Sequence, residues 1–354
     1  MYSAMIAALN AALPVLEKFA PIVAIAAILC AVFITMLRPV LARYALARPN
    51  ARSSHREPTP QGGGIAIMGA MAITLAAAAI FMPGFATDAL RLAIVFAAVL
   101  GLAVVGATDD IRPMEAVPRL MLQAIAVFII IATLPHELRL FSILPWWIER
   151  ALMVISILWF VNLVNFMDGI DWMTVAEVVP VSAALATMGA MGALPSDGTV
   201  VAVALLGAII GFAPFNRPVA RLFLGDVGSL PIGLLIAWLL VLLAGSGHLV
   251  AAALLPLYYV ADTTLTLLRR SIAGEPVMQA HRSHFYQRAT DRGFSVYQIV
   301  SRVFVVNVVL AGLAITTLSA TTRFEMYGAL AAGAAMVVVL LWSFASGKTD
   351  QASA

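Results

Sequence analysis

Long apolar runs separated by short polar connections dominate this chain. Eleven are recognisable, at about 16–37, 63–82, 91–107, 117–134, 150–166, 174–193, 199–214, 229–245, 249–268, 302–319 and 326–345. A helix needs about 20 apolar residues to cross the hydrocarbon region. The runs lack the period-two alternation of membrane strands, so helices are the expected spanning element. The pattern predicts an all-α polytopic membrane protein with about 11 transmembrane helices. Residues 3–13 read as a short apolar or interfacial lead-in. No connection is long enough for a second soluble domain, so 1–354 is expected to be a single integral-membrane domain. It carries one longer basic loop at 269–301 and a short tail at 346–354. No internal repeat is visible.

Composition agrees: 62% of residues are hydrophobic and only 11% charged. The single cysteine, Cys30, lies in the first run and permits no intramolecular disulfide. Lys18 is the first cation, which argues against a cleaved signal peptide. The 21 Lys and Arg residues divide unevenly. Sixteen fall on odd-to-even connections and the tail, among them Arg38, Arg112, Arg221, Arg269 and Arg282. Five, Lys18, Arg91, Arg139, Arg150 and Arg323, fall on the other side. The positive-inside rule then predicts a periplasmic N-terminus and a cytoplasmic C-terminus.

The acidic residues carry the chemistry. Asp109, Asp110, Asp168, Asp171 and Asp226 all lie at ends of apolar runs, and threading brings all five to the Arg-rich face. Five loops on that face stand out. The first runs Pro49–His55 and then Pro58-Thr59-Pro60-Gln61-Gly62-Gly63-Gly64. Its glycines allow close backbone approach and leave N–H groups free at a helix start, an anion site by geometry; a flexible turn in a basic loop is the plainer reading. The second, Gly106-Ala107-Thr108-Asp109-Asp110, places two carboxylates about 100° apart around a helix end, suited to two roles. Acids at a helix C-terminus also oppose the macrodipole. The third is Asn162-Leu163-Val164-Asn165-Phe166-Met167-Asp168-Gly169-Ile170-Asp171-Trp172. Asn162 and Asn165 share a helix face, and Asp168 continues their row. The Asn pair could instead bond two helices together. The fourth, Arg221-Leu222-Phe223-Leu224-Gly225-Asp226-Val227-Gly228, precedes a span read as starting at Ser229-Leu230-Pro231. Asp226 reads as a metal ligand beside a phosphate-accepting helix end, or as a cap. The fifth contains His281-Arg282-Ser283-His284-Phe285-Tyr286-Gln287-Arg288. Its His and Arg residues suit phosphate oxygens, or lipid headgroups. Asp262, about 10 Å inward from Arg269 along its helix, is left without a role.

Together these loops resemble the polyprenyl-phosphate N-acetylhexosamine-1-phosphate transferases, of glycosyltransferase family 4 type. The resemblance spans about 50–300, with the motifs in family order, and the fifth looks most like the branch that starts O-antigen or capsular repeats. It implies an Mg²⁺-dependent enzyme (Mn²⁺ is an alternative) that moves N-acetylhexosamine 1-phosphate from a UDP-N-acetyl sugar to undecaprenyl phosphate, releasing UMP. The sugar would be GlcNAc or a 6-deoxy sugar such as QuiNAc or FucNAc, and the product would initiate lipid-linked O-antigen or another cell-envelope polysaccharide. Carried over by motif, Asp109, Asp110 and Asp226 are catalytic, with Asp226 and Asp110 at the metal. Asp168, Gly169 and Phe223 would form the uracil pocket, Asn165 and Asp171 would line the nucleotide site, and His281, Arg282 and His284 would contact the diphosphate. The resemblance also implies a bacterial inner-membrane protein with its active site on the cytoplasmic face. It allows a homodimer and calls for no nucleic acid.

Three positions depart from the pattern. Trp172 stands where a second glycine is usual, Gln61 where a cation is common, and Glu115 only approximates a third carboxylate. A proton- or cation-coupled transporter would place its acids near the bilayer midplane, often in paired repeats. A non-catalytic scaffold would have no reason to keep Asp109, Asp110 and Asp226.

Overall fold

The computed structural model describes residues 2–47, 58–82, 89–276 and 281–347. The Pro49–His55 stretch, part of the basic loop (277–280) and most of the tail (348–354) lie outside the described residues. The protein is all-α. Its helices are α1 (Tyr2–Tyr44), α2 (Gly63–Phe81), α3 (Ala89–Ile111), α4 (Ala116–Thr133), α5 (Trp146–Met167), α6 (Met173–Ala190), α7 (Ser196–Phe212), α8 (Asp226–Gly245), α9 (Leu249–Leu254), α10 (Leu257–Ile272), α11 (Phe285–Asp291), α12 (Val296–Thr317) and α13 (Arg323–Ser346). One two-residue antiparallel pair, β1 (Leu46–Ala47) with β2 (Thr59–Pro60), ties the end of α1 to the start of α2.

Among the described residues, nine helices are long and apolar enough to cross a membrane. Two further expected spans differ in form. The 199–214 run is α7, apolar but of 17 residues. The 249–268 run is two helices, α9 and α10, parted at Leu255-Pro256. Proline cannot donate to the preceding turn and crowds it. The lead-in at 3–13 is the first part of α1. The stretch 269–301 holds the end of α10, the short α11 and the first turns of α12.

α8 sits at the centre, packed against α2, α3, α5 and α9. Its sequence is apolar all round, as a helix without a lipid face requires. Elsewhere, small residues set how near the backbones come. A Cβ at Gly207 would lie 2.4 Å from the Val23 carbonyl, and one at Gly211 2.3 Å from that of Ala27. This i, i+4 glycine pair seats α7 on α1.

The helix ends bearing the sequence motifs meet at one end of the bundle. α8 begins at Asp226, three residues before the expected start at Ser229. The reason lies on another helix. Asp110, at the end of α3, accepts the N–H groups of Asp226 (2.9 Å) and Val227 (3.1 Å). The orphan donors of a helix start are thus satisfied from outside. α11 is held the same way, by Asp262 of α10, which accepts from the N–H groups of Phe285 (3.0 Å) and Tyr286 (3.2 Å).

Candidate functional site

The acidic centre forms where α3, α4, α5 and α8 converge. Asp226, in the first turn of α8, accepts a hydrogen bond from Asn165 Nδ2 on α5 at 2.7 Å, and the same nitrogen reaches Ser229 Oγ at 2.9 Å. The carboxyls of Asp109 and Asp226 lie next to each other. Asp109 also accepts the Met114 N–H (2.6 Å) and Arg119 Nη1 (2.7 Å), and Arg119 stands 3.8 Å from Asp226. Asp109, Asp110, Asn165 and Asp226 are therefore one constellation. Its two adjacent aspartates do take different roles: Asp109 faces Asp226 and Arg119, whereas Asp110 is spent on the α8 backbone. The two asparagines also part. Asn162 bonds Gln123 of α4 at 2.6 Å and joins two helices, while Asn165 serves the carboxylate.

The glycine run behaves differently from its expected anion site. The N–H groups of Gly62 and Gly63 donate to the Phe223 carbonyl (3.2 and 2.9 Å), and that of Gly64 to Leu224 (3.0 Å). These donors are used and are not free for an anion. The close approach does hold: a Cβ on Gly64 would lie 2.2 Å from the α carbon of Gly228. The run buckles the 221–225 loop to α2, with the Phe223 backbone in the joint.

Asp168, just beyond α5, is half-buried, and Thr174 Oγ1 donates to it. Burial pushes its carboxyl up to about 7, the hydrogen bond from Thr174 opposing and nearby Asp110 and Asp171 adding. Asp171 is buried and accepts the Ala220 N–H at 3.0 Å, so it anchors the 216–222 loop. Trp172 does not crowd the acidic centre. It takes a left-handed backbone (φ 62°), a conformation favoured by glycine and costly for a bulky residue. Its indole N–H donates to the Ala213 carbonyl at 2.7 Å, and its ring meets Tyr297 edge-on at 5.9 Å. Gly169 lies under α11, where a Cβ would sit 2.1 Å from the Tyr286 hydroxyl.

A cavity of about 840 Å³ starts at this centre and runs between α4, α5 and α10. Arg119, Asn165, Asp226, His281 and His284 form its polar end. Its walls are apolar, and include Leu120, Leu158, Trp159 and Leu267. Ile155 and Leu268 also line it and are 64% and 54% exposed on the flank of the bundle, so the cavity opens sideways toward lipid. Arg282 turns away from it, toward Thr290 (2.8 Å) and Asp291 (3.4 Å).

Sequence reading missed Arg119 as a partner of Asp109, Ser229 as a partner of Asn165, and Asp262 as the anchor of the histidine loop. Only Asp262 gave a signal: an acid deep in an apolar run is costly unless paired. The buried Glu177–Asn307 pair (2.7 Å) joins α6 to α12. Glu177 lies four residues, about 6 Å, from the motif end of α6. Asp109, Asp110, Asp168, Asp171 and Asp226 thus gather at helix ends, while Asp262 lies within α10.

The fold and site define a polytopic membrane protein with a carboxylate centre at one end of its helix bundle and an apolar groove leading from it. The glycosyl transferase family 4 model matches residues 92–244, which carry α3 to α8 and the acidic centre. Among its relatives is the probable undecaprenyl-phosphate N-acetylglucosaminyl 1-phosphate transferase of Bacillus subtilis, 25% identical over 86% of this chain and 87% of its own. The decaprenyl-phosphate N-acetylglucosaminephosphotransferase of Mycolicibacterium smegmatis is 27% identical over 84% and 81%. The phospho-N-acetylmuramoyl-pentapeptide-transferase of Shouchella clausii is 27% identical over 81% and 92%. Over residues 92–244 the chain is therefore similar to glycosyl transferase family 4, and over most of its length to these three relatives.

Proposed function

We propose that the protein transfers N-acetylhexosamine 1-phosphate from a UDP-N-acetyl sugar to undecaprenyl phosphate in a bacterial inner membrane, on the cytoplasmic face. The observation that carries this reading is the groove: it is apolar along its walls, open to lipid on its flank, and ends on Asp226, Asn165, Arg119 and two histidines. A polyprenyl chain suits the walls and its phosphate suits the end. The relatives' names support sugar 1-phosphate transfer to a polyprenyl phosphate. The first product would initiate a lipid-linked cell-envelope polysaccharide such as O-antigen.

Among the described residues no three His, Cys, Asp or Glu side chains group as a metal cage. Mg²⁺ is commonly held by one or two carboxylates and otherwise by water and substrate phosphates. Asp226 is the carboxylate that fits it, with Asp109 and Asp110 beside it. Both oxygens of each neighbour already accept: those of Asp110 from the α8 backbone N–H groups, which fixes the start of α8, and those of Asp109 from the Met114 N–H and Arg119. Bound there, Mg²⁺ would neutralise phosphate charge in the transfer. Asn165 aims the Asp226 carboxylate. Arg119 offsets the negative charge of Asp109. The loop from Asp168 to Asp171 and the Phe223 loop would take the nucleotide.

The test is UMP release by purified protein with undecaprenyl phosphate, Mg²⁺ or Mn²⁺, and a panel of UDP-N-acetyl sugars. Release should require lipid and metal, stop with EDTA, and fall at least about 100-fold in Asp226→Asn. A folded protein that releases no UMP from any donor would sink the reading.

A further inference from the structure

His284 is nearly fully buried, and its surroundings fix one edge of the ring. Its Nδ1 lies 3.3 Å from Asp262 Oδ1. Asp262 is fully buried and meets four other donors: the Phe285 and Tyr286 N–H groups, Tyr258 Oη (3.3 Å) and Thr266 Oγ1 (3.4 Å). With every other partner donating, the oxygen that faces His284 is an acceptor, so Nδ1 carries the proton. The ring is clamped on its faces by His281 (5.0 Å) and Tyr286 (5.8 Å), with Phe166 at 6.4 Å. In the neutral ring Nε2, on the edge away from Asp262, is then left as an acceptor, and His284 lines the groove with Arg119 and Asp226.

We propose that Asp262 is a positioning residue that holds His284 with its proton on Nδ1, so that Nε2 receives the acceptor lipid's phosphate and not the donor's diphosphate. The inference rests on the transfer reaction proposed above. The chemistry separates the two anions. A nucleotide-sugar diphosphate is fully ionised and offers no donor, so an unprotonated nitrogen gains nothing from it. A phosphate monoester has a second pKa near 6, so a fraction still carries a P–O–H near neutral pH, and Nε2 can accept from that form. Asp262 also fixes the start of α11, so ring and backbone are set by one carboxylate.

Asp262→Asn separates these tasks in part. With its amide oxygen in the place of Oδ2 it still accepts the Tyr286 N–H, while its NH₂, in the place of Oδ1, gives up the Phe285 N–H and favours the opposite tautomer of His284. The same exchange beside a serine-protease histidine keeps the geometry and damages turnover. Nitrogen-15 NMR of histidine-labelled full-length protein in nanodiscs reads the tautomer directly, with His284→Gln assigning the resonance. The wild type should show the proton on Nδ1 and Asp262→Asn should move it to Nε2. In UMP-release assays the KM for undecaprenyl phosphate should rise about 10- to 100-fold, with the KM for the nucleotide sugar within about threefold. An Nε2–H signal in the wild type overturns the proposal. So does an Asp262→Asn enzyme whose lipid KM is unmoved, or whose two KM values rise together. A wild type that transfers nothing would remove the reaction while leaving the tautomer measurement to decide the dyad.

Discussion

At the scale of single residues, neighbouring carboxylates carry different burdens. Asp110 closes a helix and Asp226 faces a cavity, so their loss should read out differently. Asp110→Ala strips the acceptor from two backbone N–H groups and should cost about 1–3 kcal/mol, seen as a lower melting temperature in detergent. Asp226→Asn should melt close to the wild type while losing turnover. Equal melting losses in the two variants would show that this division is wrong. Asp168 makes a prediction in pH. An unfolded Asp titrates near 3.9, and burial raises the folded group to about 7. Below about 4 both states hold the proton. Between about 4 and about 7 the unfolded chain ionises while the folded one does not, so this contribution to stability falls as pH rises, then levels off. Asp168→Asn cannot ionise. In EDTA its melting temperature relative to wild type should therefore be higher at pH 8 than at pH 5, and an unchanged difference would refute the raised value. Much of the centre was legible because carboxylates at apolar run ends are costly unless paired or used. Arg119 was not, because ten residues and a turn separate it from Asp109 and nothing local ties them.

At the scale of elements, the apolar runs locate the helices, but their starts depend on partners far along the chain. α8 begins early because Asp110 waits for it, 116 residues away in sequence. α11 exists because Asp262 supplies acceptors to a loop that reads as irregular. The break before α10 was present in the sequence as Pro256, yet Pro180 and Pro231 lie inside unbroken helices, so proline alone did not mark it. The α1–α7 crossing is the element most sensitive to volume. Gly207→Leu would drive a side chain into the Val23 backbone, and overpacking of this kind costs about 1–3 kcal/mol. A lower melting temperature is expected, whereas Gly101→Leu, at a glycine with nothing within 4 Å of an added Cβ, should be tolerated. Equal effects at the two sites would mean that the crossing is not tight.

At the scale of the whole molecule, charge asymmetry and motif convergence predict which face meets the cytoplasm. Cys30 is buried, so the native chain offers little background for thiol labelling. Ile143 and Val219, 91% and 79% exposed, mark the two ends of the bundle. In intact cells with a permeable outer membrane, an impermeant maleimide should label Ile143→Cys, and should label Val219→Cys only after the inner membrane is opened. The reverse pattern would invert the protein and place its acidic centre in the periplasm.

The groove that opens past Ile155 and Leu268 has a kinetic consequence. A substrate arriving through the flank of the bundle diffuses in two dimensions, so its effective concentration is a mole fraction of the surrounding lipid, not an amount per volume. Adding inert lipid to a fixed quantity of protein and acceptor should slow turnover by surface dilution, while adding buffer should not. The prenyl tail beyond the groove would remain in the bilayer, so carriers of different length should be used at similar rates.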